Sequence, residues 1–404
     1  MISKKKNVMY VSNDLGYGVI KAHFDEEPVK QDSVYTQIYS SPTWENIDLT
    51  NGDEVDNVIK NLLDKLDVSI NDRRYLIGKA ALDSLNGTVS LQMDSPNGKA
   101  NGNSAIILPL AYIAGRAIQK SYYDDSDEFV IGDPIQVNVT LVTALPISES
   151  RDENGEDTRP KYVARFTDKI HTVVVHSLGE DIVVRVKFDQ VVVLKEGQIA
   201  ASSAIKHGNN QLAKKLIEQV KQNYPDKAEI AESLILEGTD YISIDIGQGT
   251  TDMALFYNGS VNDFSYSINS GFGNILEDTY NQFHNPLITK KEDFVKVWKG
   301  QTNLDSLSTE IDEKIQENSN TLQTQIISGL TNLLKKNPAT QVIYIFGGGS
   351  VPMIERYHLE ERIKDRVSSL QSPAVVVWVG KEYAQDLNEI ALKNISDYLR
   401  AQAK

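Results

Sequence analysis

The sequence predicts an α/β protein of two domains, and three observations lead to this fold class. The chain has 404 residues, which is too long for one ordinary compact core and suits two domains of roughly 150–200 residues each. Apolar runs of strand length alternate with helical patterns along the chain. A glycine-containing turn led by an aspartate occurs once in each half. A cleft between two lobes is therefore expected to be available for a ligand.

The predicted strands are five apolar runs, which cover residues 8–11, 137–142, 182–188, 241–246 and 342–346. Hairpins are expected around the turns at 178–181 and 258–259. Apolar positions on one helical face predict a helix from Val55 to Leu66 and a long helix from Ile311 to Leu334, which ends before Pro338. The polar stretches 95–104 and 148–159 predict loops, and the second would join or border the two lobes.

Charge and composition argue against several classes of function. With 41 Lys and Arg against 56 Asp and Glu, the net charge of −15 would repel a phosphate backbone, so direct binding of nucleic acid is not expected. No segment approaches the roughly 20 apolar residues of a membrane span. The basic start at residues 1–6 lacks the apolar run of a signal peptide, and the chain has no cysteine. We therefore expect a cytoplasmic protein.

The first turn lies at the end of the first predicted strand, in the segment VMYVSNDLGYGVIK of residues 8–21. Glycines at 16 and 18 let backbone N–H groups approach a polyphosphate, Lys21 supplies positive charge, and Asp14 can hold Mg²⁺ through its waters. The same segment also suits a hairpin bend with a solvated lysine. Taken alone, this segment does not distinguish a phosphate-binding turn from a hairpin bend.

A second turn repeats this plan in the segment YISIDIGQGTTD of residues 241–252. A strand leads into Asp245, two glycines and two threonines. Two such turns can clamp the β- and γ-phosphates from both sides, and two carboxylates complete a hydrated Mg²⁺ shell better than one. A third apolar strand ends in Gly347-Gly348-Gly349-Ser350, where a flat backbone can border a purine and its ribose, although a tight strand-to-helix turn has the same composition.

In this order and spacing, the three segments resemble the phosphate-one, phosphate-two and adenosine motifs of the superfamily of actin, heat-shock chaperones and sugar kinases. The resemblance spans most of the chain and looks most like the bacterial plasmid-segregation actins of the ParM and Alp type. It implies an actin-like two-lobed fold of duplicated ribonuclease H-like domains with a nucleotide cleft between the lobes. It also implies a first domain of residues 1–148 and 375–404, with a small subdomain at about 30–100, and a second domain of residues 149–374, with a small subdomain at about 275–335.

The resemblance assigns ATP, with GTP as the alternative, and Mg²⁺ as cofactors. Asp14 and Asp245 would hold the metal through water. Gln248 departs from the family, since many relatives have a small residue there. The implied nucleotide-binding residues are Gly16, Tyr17, Gly18, Lys21, Gly247, Gln248, Gly249, Thr250, Thr251, Gly271, Gly273, Asn274, Gly347, Gly348, Gly349 and Ser350.

Hydrolysis of a γ-phosphate requires an oriented water and stabilised negative charge. The segment 141–149 resembles the place where plasmid-segregation actins carry their catalytic carboxylate, so Glu149 is the implied water-positioning base, acting with Asp14 and Asp245. Gln136 and Thr143 are rival candidates, and Glu149 could instead be a solvated loop acid.

The resemblance implies a filament-forming ATPase whose partners are other copies of itself and a DNA-bound adaptor that links it to plasmid segregation. The alternatives are a cytoskeletal actin homologue without a role in segregation, a monomeric ATPase switch of the chaperone kind, and a small-molecule kinase.

Overall fold

A computed structural model describes residues 8–40, 42, 47–84, 86–91, 98–124, 133–152, 154–197, 199–207 and 210–403. The chain forms two compact units. The first consists of Met1–Leu145, Glu149–Leu194 and Leu392–Lys404, and the second of Pro146–Ser148 and Lys195–Ala391.

The first unit contains a ten-stranded sheet among its described residues. Its helices are α1 (Gly52–Lys60), α2 (Lys79–Leu82), α3 (Ser104–Asp124) and α4 (Arg159–Thr167). Its strands are β1 (Val8–Leu15), β2 (Val19–Phe24), β3 (Glu27–Asp32), β4 (Val34–Ile38), β5 (Asp67–Ile70), β6 (Arg73–Ile77), β7 (Val89–Ser90), β8 (Ile135–Leu145), β9 (His171–Val175) and β10 (Ile182–Lys195). They are ordered β3-β2-β1-β8-β10-β9-β5-β6-β4-β7.

The second unit contains a six-stranded sheet. Its strands are β11 (Tyr241–Ile246), β12 (Thr251–Tyr257), β13 (Ser260–Val261), β14 (Tyr266–Ile268), β15 (Val342–Phe346) and β16 (Val375–Trp378). The order is β13-β12-β11-β15-β16, and β14 also pairs with β12. Its helices are α5 (Asn210–Asn223), α6 (Ala231–Leu236), α7 (Phe272–Gln282), α8 (Lys291–Trp298), α9 (Asp305–Lys336), α10 (Ser350–Glu355), α11 (Leu359–Ser369), α12 (Lys381–Ala384) and α13 (Leu387–Gln402), the last of which continues into the first unit.

The two units repeat one sheet topology. In the first, β1 pairs antiparallel with β2 and parallel with β8. In the second, β11 pairs antiparallel with β12 and parallel with β15. The series β3-β2-β1-β8-β10 thus corresponds to β13-β12-β11-β15-β16. In both units a glycine turn joins the two strands of the leading hairpin, so the repeated sequence pattern reflects a repeated fold.

The predicted strands, hairpins and long helix are confirmed. The strands predicted at 241–246 and 342–346 coincide with β11 and β15, and α9 ends at Lys336, shortly before Pro338. The helix predicted up to Leu66 ends earlier, at Lys60, because Asn61 donates a side-chain hydrogen bond to the carbonyl of Asn57, and a short 3-10 turn follows. The loop predicted at 95–104 lies partly outside the described residues.

The structure divides the chain differently from the expected boundaries. Residues 149–194 belong to the first unit because β9 pairs with β5 and β10 adjoins β8. Residues 375–391 belong to the second because β16 pairs with β15. The polar stretch 148–159 begins at the crossing between Ser148 and Glu149, and the rest of it lies in the first unit. The small subdomains at about 30–100 and 275–335 stay predictions.

Each unit has its own core. The helix α3 is buried along most of its length, and residues such as Tyr112 and Ile113 belong to the hydrophobic core of the first unit. In the second, α9 buries its apolar face, with Ile315, Ile326 and Leu330 fully enclosed. None of the helices in the described part of the chain is long and apolar enough to cross a membrane.

Candidate nucleotide-binding site

The first glycine turn closes the hairpin between β1 and β2. The N–H of Gly16 donates to the carbonyl of Val19 at 3.1 Å, and a Cβ at Gly16 would stand 2.7 Å from the same oxygen. The register pairs Asp14 with Lys21, whose Nζ lies 4.0 Å from Asp14 Oδ2. Both side chains are largely buried, so the hairpin holds a carboxylate and an ammonium together beside the turn rather than in solvent.

Glu149 lies beside this turn in the same unit. Its carboxylate accepts a hydrogen bond from the Tyr17 hydroxyl at 3.3 Å and another from the backbone N–H of Ala100 at 3.0 Å. The hydroxyl of Thr158 donates to its backbone carbonyl. Gly98, with φ of +98°, permits this approach, because a Cβ there would stand 2.8 Å from Glu149 Oε2. Glu149 is thus held by the fold and is not a freely solvated loop acid.

The two rival residues occupy other places. Gln136 is exposed near the start of β8, whereas the register aligns Thr143 with Asn13 close to the turn. Seven residues of extended strand separate the two positions, which is about 23 Å. Thr143 is fully buried and donates its hydroxyl to the carbonyl of Asn13, so it supports β1 beside the turn.

One residue near the first turn was missed by the sequence analysis. Lys99 is 1% exposed, and its ammonium lies 5.5 Å from the centroid of the Tyr17 ring. A cation at that distance from an aromatic face is attracted by the ring. Lys99 stands in a polar stretch that gave only a loop signal, so nothing in the local pattern pointed to it.

The second glycine turn is anchored to the beginning of α7. The N–H of Phe272 donates to the carbonyl of Gly247 at 3.0 Å, and the N–H of Asn274 donates to the carbonyl of Gln248 at 3.2 Å. In a trans peptide the carbonyl of one residue and the N–H of the next point in opposite directions. The N–H groups of Gln248 and Gly249 therefore point away from α7.

The glycines of the segment 271–273 make this anchoring possible. A Cβ at Gly271 would stand 2.5 Å from the carbonyl oxygen of Gly247, and one at Gly273 would overlap the side chain of Gln248. The side chain of Asn274 accepts a hydrogen bond from the N–H of Gly271 at 2.9 Å, which fixes the first turn of α7. These three predicted residues thus support the second turn.

The second turn is also closed on itself. The N–H of Gly247 donates to the carbonyl of Thr250 at 2.8 Å. Thr250 donates its hydroxyl to Asp252 at 3.2 Å, and Thr251 donates to the carbonyl of Ser270 at 2.9 Å. Both threonine hydroxyls therefore have partners within the protein.

The third glycine cluster packs against the second turn. Gly347 has φ of +86°, and a Cβ there would overlap Asp245 Oδ1 and stand 2.6 Å from the backbone nitrogen of Ile246. The N–H of Gly349 donates to the carbonyl of Ile246 at 2.8 Å. Ser350 is buried and donates its hydroxyl to the carbonyl of Gly347 at 2.7 Å. Gly348 alone in this cluster is exposed.

Two carboxylates lie side by side on the leading hairpin of the second unit, since Asp245 pairs with Asp252. Asp245 is 6% exposed and accepts a hydrogen bond from Asn388 Nδ2 at 2.6 Å. Asp252 is 2% exposed and accepts hydrogen bonds from the N–H of Ile147 at 3.0 Å and from the Ser267 hydroxyl at 2.5 Å. Asp252 closes the sequence motif, but no sequence signal pointed to Asn388.

The side chains that could hold Mg²⁺ are the aspartates at the two glycine turns. No group of three or more His, Cys, Asp or Glu side chains that could hold a metal ion occurs among the described residues. Asp14 lies beside the first turn and Asp245 lies opposite Asp252 beside the second, and sites with one or two carboxylates bind Mg²⁺ while leaving it several waters. That the two aspartates act on the metal through water stays a prediction.

The family described as actin-like proteins, N-terminal domain, matches residues 12–198. No curated protein matches the chain.

Three solved structures illustrate the fold. The actin-like protein Alp7A has a TM-score of 0.62 and 17% identity, covering 98% of each chain. The apo psk41 ParM protein has a TM-score of 0.55 and 15% identity over 98% of this chain and 99% of its own. Bacillus thuringiensis ParM with AMPPNP has a TM-score of 0.55 and 14% identity over 98% and 100%.

The fold of the chain is therefore actin-like, which confirms the predicted fold class. The chain is similar to the actin-like family model over residues 12–198, and its fold is similar to the folds of the ParM and Alp7A structures, as the motifs indicated.

Proposed function

We propose that this chain is a cytoplasmic ATPase that forms filaments in a nucleotide-dependent manner, with GTP as the alternative substrate. The observation that carries the proposal is the second turn. Because its carbonyls are bound to α7, the N–H groups of Gln248 and Gly249 point the other way and can donate to phosphate oxygens. ParM of Bacillus thuringiensis has been solved with AMPPNP, ATP and ADP, which supports nucleotide binding here.

As the resemblance implies, Asp14 and Lys21 of the first unit would take phosphate-one roles, and Asp245 of the second unit would take a phosphate-two role. Mg²⁺, when bound, would neutralise charge on the phosphates. The Lys21 ammonium beside Asp14 would offset negative charge at the first turn. Gly347 leaves room for Asp245 against the third cluster, and Gly348 and Gly349 would border the nucleoside.

Glu149 would accept a proton from the attacking water. A general base must be held within hydrogen-bond reach of that water. The hydrogen bonds from Tyr17 and Ala100 engage one position on each carboxylate oxygen of Glu149, and each ionised oxygen can accept more than one. Both oxygens of Glu149 can therefore accept a further hydrogen bond from the attacking water, which supports the proposed role.

Filament formation and plasmid segregation come from the resemblance to the ParM and Alp types. A chain with a net charge of −15 is poorly suited to bind DNA itself, which favours an adaptor protein as the link to a plasmid. State-dependent affinity between subunits would couple nucleotide binding to assembly.

The direct experiment is sedimentation of the purified protein with ATP, GTP, ADP or no nucleotide, together with phosphate release. We expect pelleting with the triphosphate and release of phosphate after assembly. A protein that releases phosphate but stays in the supernatant at high concentration would contradict the filament and point to a monomeric switch. Phosphate release that depends on an added sugar would point to a kinase.

A further inference from the structure

The chain crosses between the two units at three passages, the first of which contains a crossing in each direction, and each passage has a hydrogen-bonded anchor in the second unit. The passages lie at residues 145–149, 194–195 and 391–392. The anchors all involve the leading hairpin of the second sheet, β11 and β12, which carries Asp245 and Asp252.

The first passage is tied to Asp252. The N–H of Ile147 donates to Asp252 Oδ1 at 3.0 Å. The N–H of Ser148 donates to the Ser267 hydroxyl at 3.0 Å, and that hydroxyl donates to the same carboxylate. The short segment 146–148 is thus fixed to a buried carboxylate.

The second passage is tied to the same hairpin through Gly197, which has φ of +69°. Its carbonyl accepts a hydrogen bond from the Ser243 hydroxyl at 2.8 Å. A Cβ at Gly197 would stand 3.5 Å from the Cβ of Asp252 and 3.6 Å from that of Asp245, so the backbone passes close to both aspartates.

The third passage is tied to Asp245 through Asn388, in the first turn of α13. Asn388 Nδ2 donates to Asp245 Oδ2 at 2.6 Å, and its Oδ1 accepts from the N–H of Gly197 at 3.4 Å. One amide side chain can both donate to a carboxylate and accept from a backbone N–H. Asp lacks the donor, and Leu, of similar size, lacks both groups.

We propose that Asn388 is a positioning residue that orients the Asp245 carboxylate and links its state to two of the three passages. This inference rests on the proposed nucleotide function. Asn388 bonds Oδ2 of Asp245, while Oδ1 faces the backbone of Gly347, so the amide determines how the carboxylate is rotated. Binding of Mg²⁺ and nucleotide at Asp245 would reorient its carboxylate. Because Asn388 bonds both Asp245 and Gly197, this reorientation would be transmitted through its amide to Gly197 and to α13.

The test compares wild type with Asn388→Asp and Asn388→Leu. The readout is the Mg²⁺ concentration that half-saturates binding of a fluorescent ATP analogue. Removing a partner that orients a direct metal ligand typically changes metal affinity by about 10–100-fold. Because Asp245 would act through water, we expect the lower end of that range, about 10-fold, for both variants. Asn394→Asp places the same charge on the same helix six residues further along, and it should leave the Mg²⁺ dependence at the wild-type value.

A second readout is hydrogen exchange of the backbone at 195–200 with and without nucleotide. In wild type, nucleotide should slow hydrogen exchange at Gly197. In the Asn388→Leu variant, nucleotide should no longer slow exchange at Gly197, whereas the backbone of β11 should still exchange slowly. The exchanged pair Asp245→Asn with Asn388→Asp restores an amide–carboxylate hydrogen bond, so its thermal stability should recover. The Mg²⁺ dependence of the exchanged pair should not recover, because its carboxylate stands at position 388 and not at position 245.

The outcomes separate the two proposals. Wild-type Mg²⁺ dependence and wild-type protection at 195–200 in both Asn388 variants would overturn the positioning role and leave the proposed function standing. Recovery of Mg²⁺ dependence in the exchanged pair would reduce Asn388 to a structural contact and overturn the role as well. A wild-type protein that binds no magnesium nucleotide would overturn the proposed function first, and this inference with it.

Discussion

Substitutions of single residues at the glycine turns test the site most directly. Gly347 and Gly348, the first two glycines of the third cluster, are the same residue type but have different surroundings. Gly347 has positive φ and no room for a Cβ, whereas a Cβ at Gly348 would make ordinary contact, 3.5 Å from the side chain of Gln385. Sequence could identify the cluster, but only the structure separates the two positions.

We expect Gly347→Ala to lower the free energy of unfolding by about 1–3 kcal/mol, because alanine must adopt a left-handed conformation and displace the Asp245 carboxylate. Gly348→Ala, the matched control, should change it by no more than about 0.5 kcal/mol. Chemical denaturation of both variants measures this. Equal effects of the two substitutions would show that the backbone at 347 tolerates a side chain.

Glu149 supplies the second prediction at this scale. Glu149→Gln keeps the size of the side chain, and its amide can accept from the N–H of Ala100 and donate to the Tyr17 hydroxyl, but it removes the basic carboxylate. We expect phosphate release to slow by about 100-fold or more while nucleotide binding persists. Glu156→Gln, at an exposed acid in the following loop, should release phosphate at the wild-type rate. Rapid phosphate release by Glu149→Gln would show that another residue positions the water. Thr143, which lies beside the first turn, would then be the candidate.

At the scale of elements, the anchoring of the second turn to α7 explains why two regions far apart in sequence act together. Gly247 and Gln248 provide the acceptors for the first N–H groups of α7, which every helix must satisfy. The Gly-x-Gly pattern at 271–273 was a weak signal, since such patterns are common in loops. Its contact with the turn depends on the pairing of β11, β12 and β14, which sequence spacing does not specify.

The strand β9 carries a pH-sensitive element of the first unit. His171 begins this strand, is 3% exposed, and lies 2.9 Å through Nε2 from the carbonyl of Phe166. Because a carbonyl only accepts, Nε2 carries the proton, and the buried Nδ1 has no hydrogen-bond partner among the described residues. Burial lowers the pKa of His171 below its usual value, and the charge of Lys169 lowers it further, against the hydrogen bond to Phe166.

A lowered histidine pKa means that the unfolded chain binds the proton more tightly. The contribution of neutral His171 is therefore fully present above the ordinary pKa of about 6.5 and is lost as pH falls below it, by at most about 1.4 kcal/mol per pH unit. We expect wild type to lose stability between pH 7 and pH 5 more steeply than His171→Gln, which can still donate to Phe166 without titrating. Urea denaturation across this range measures the difference, and parallel curves would contradict it. His23, whose pKa burial also lowers, is present in both proteins and cancels in the comparison.

At the scale of the whole molecule, the net charge of −15 bears on assembly. Like-charged subunits repel over a distance that shrinks from about 30 Å at 0.01 M salt to about 8 Å at 0.15 M. We expect the critical concentration for assembly with ATP to fall as KCl rises across this range at constant Mg²⁺. Sedimentation at several protein concentrations measures it. A critical concentration that rises with salt would indicate that complementary charges, and not apolar surface, hold the subunits together.

The sequence by itself determined the features that depend on neighbouring residues. The strands at 241–246 and 342–346, the long helix α9 and the glycine turns follow from periodicity and from the freedom of glycine, and all are in the structure. The repeated aspartate-led turn also indicated the duplication, because each turn closes the leading hairpin of its own sheet.

Only the tertiary structure decided which segments share a unit and which side chains hold the site. Residues 149–194 join the first unit through strand pairing across about a hundred residues of chain, and Asn388 reaches Asp245 across a still longer separation. The carboxylate of Glu149 is held by Tyr17 and Ala100 in the same way. Such contacts depend on how sheets and helices pack in three dimensions, and a local pattern of residues carries no record of a partner that lies a hundred positions away.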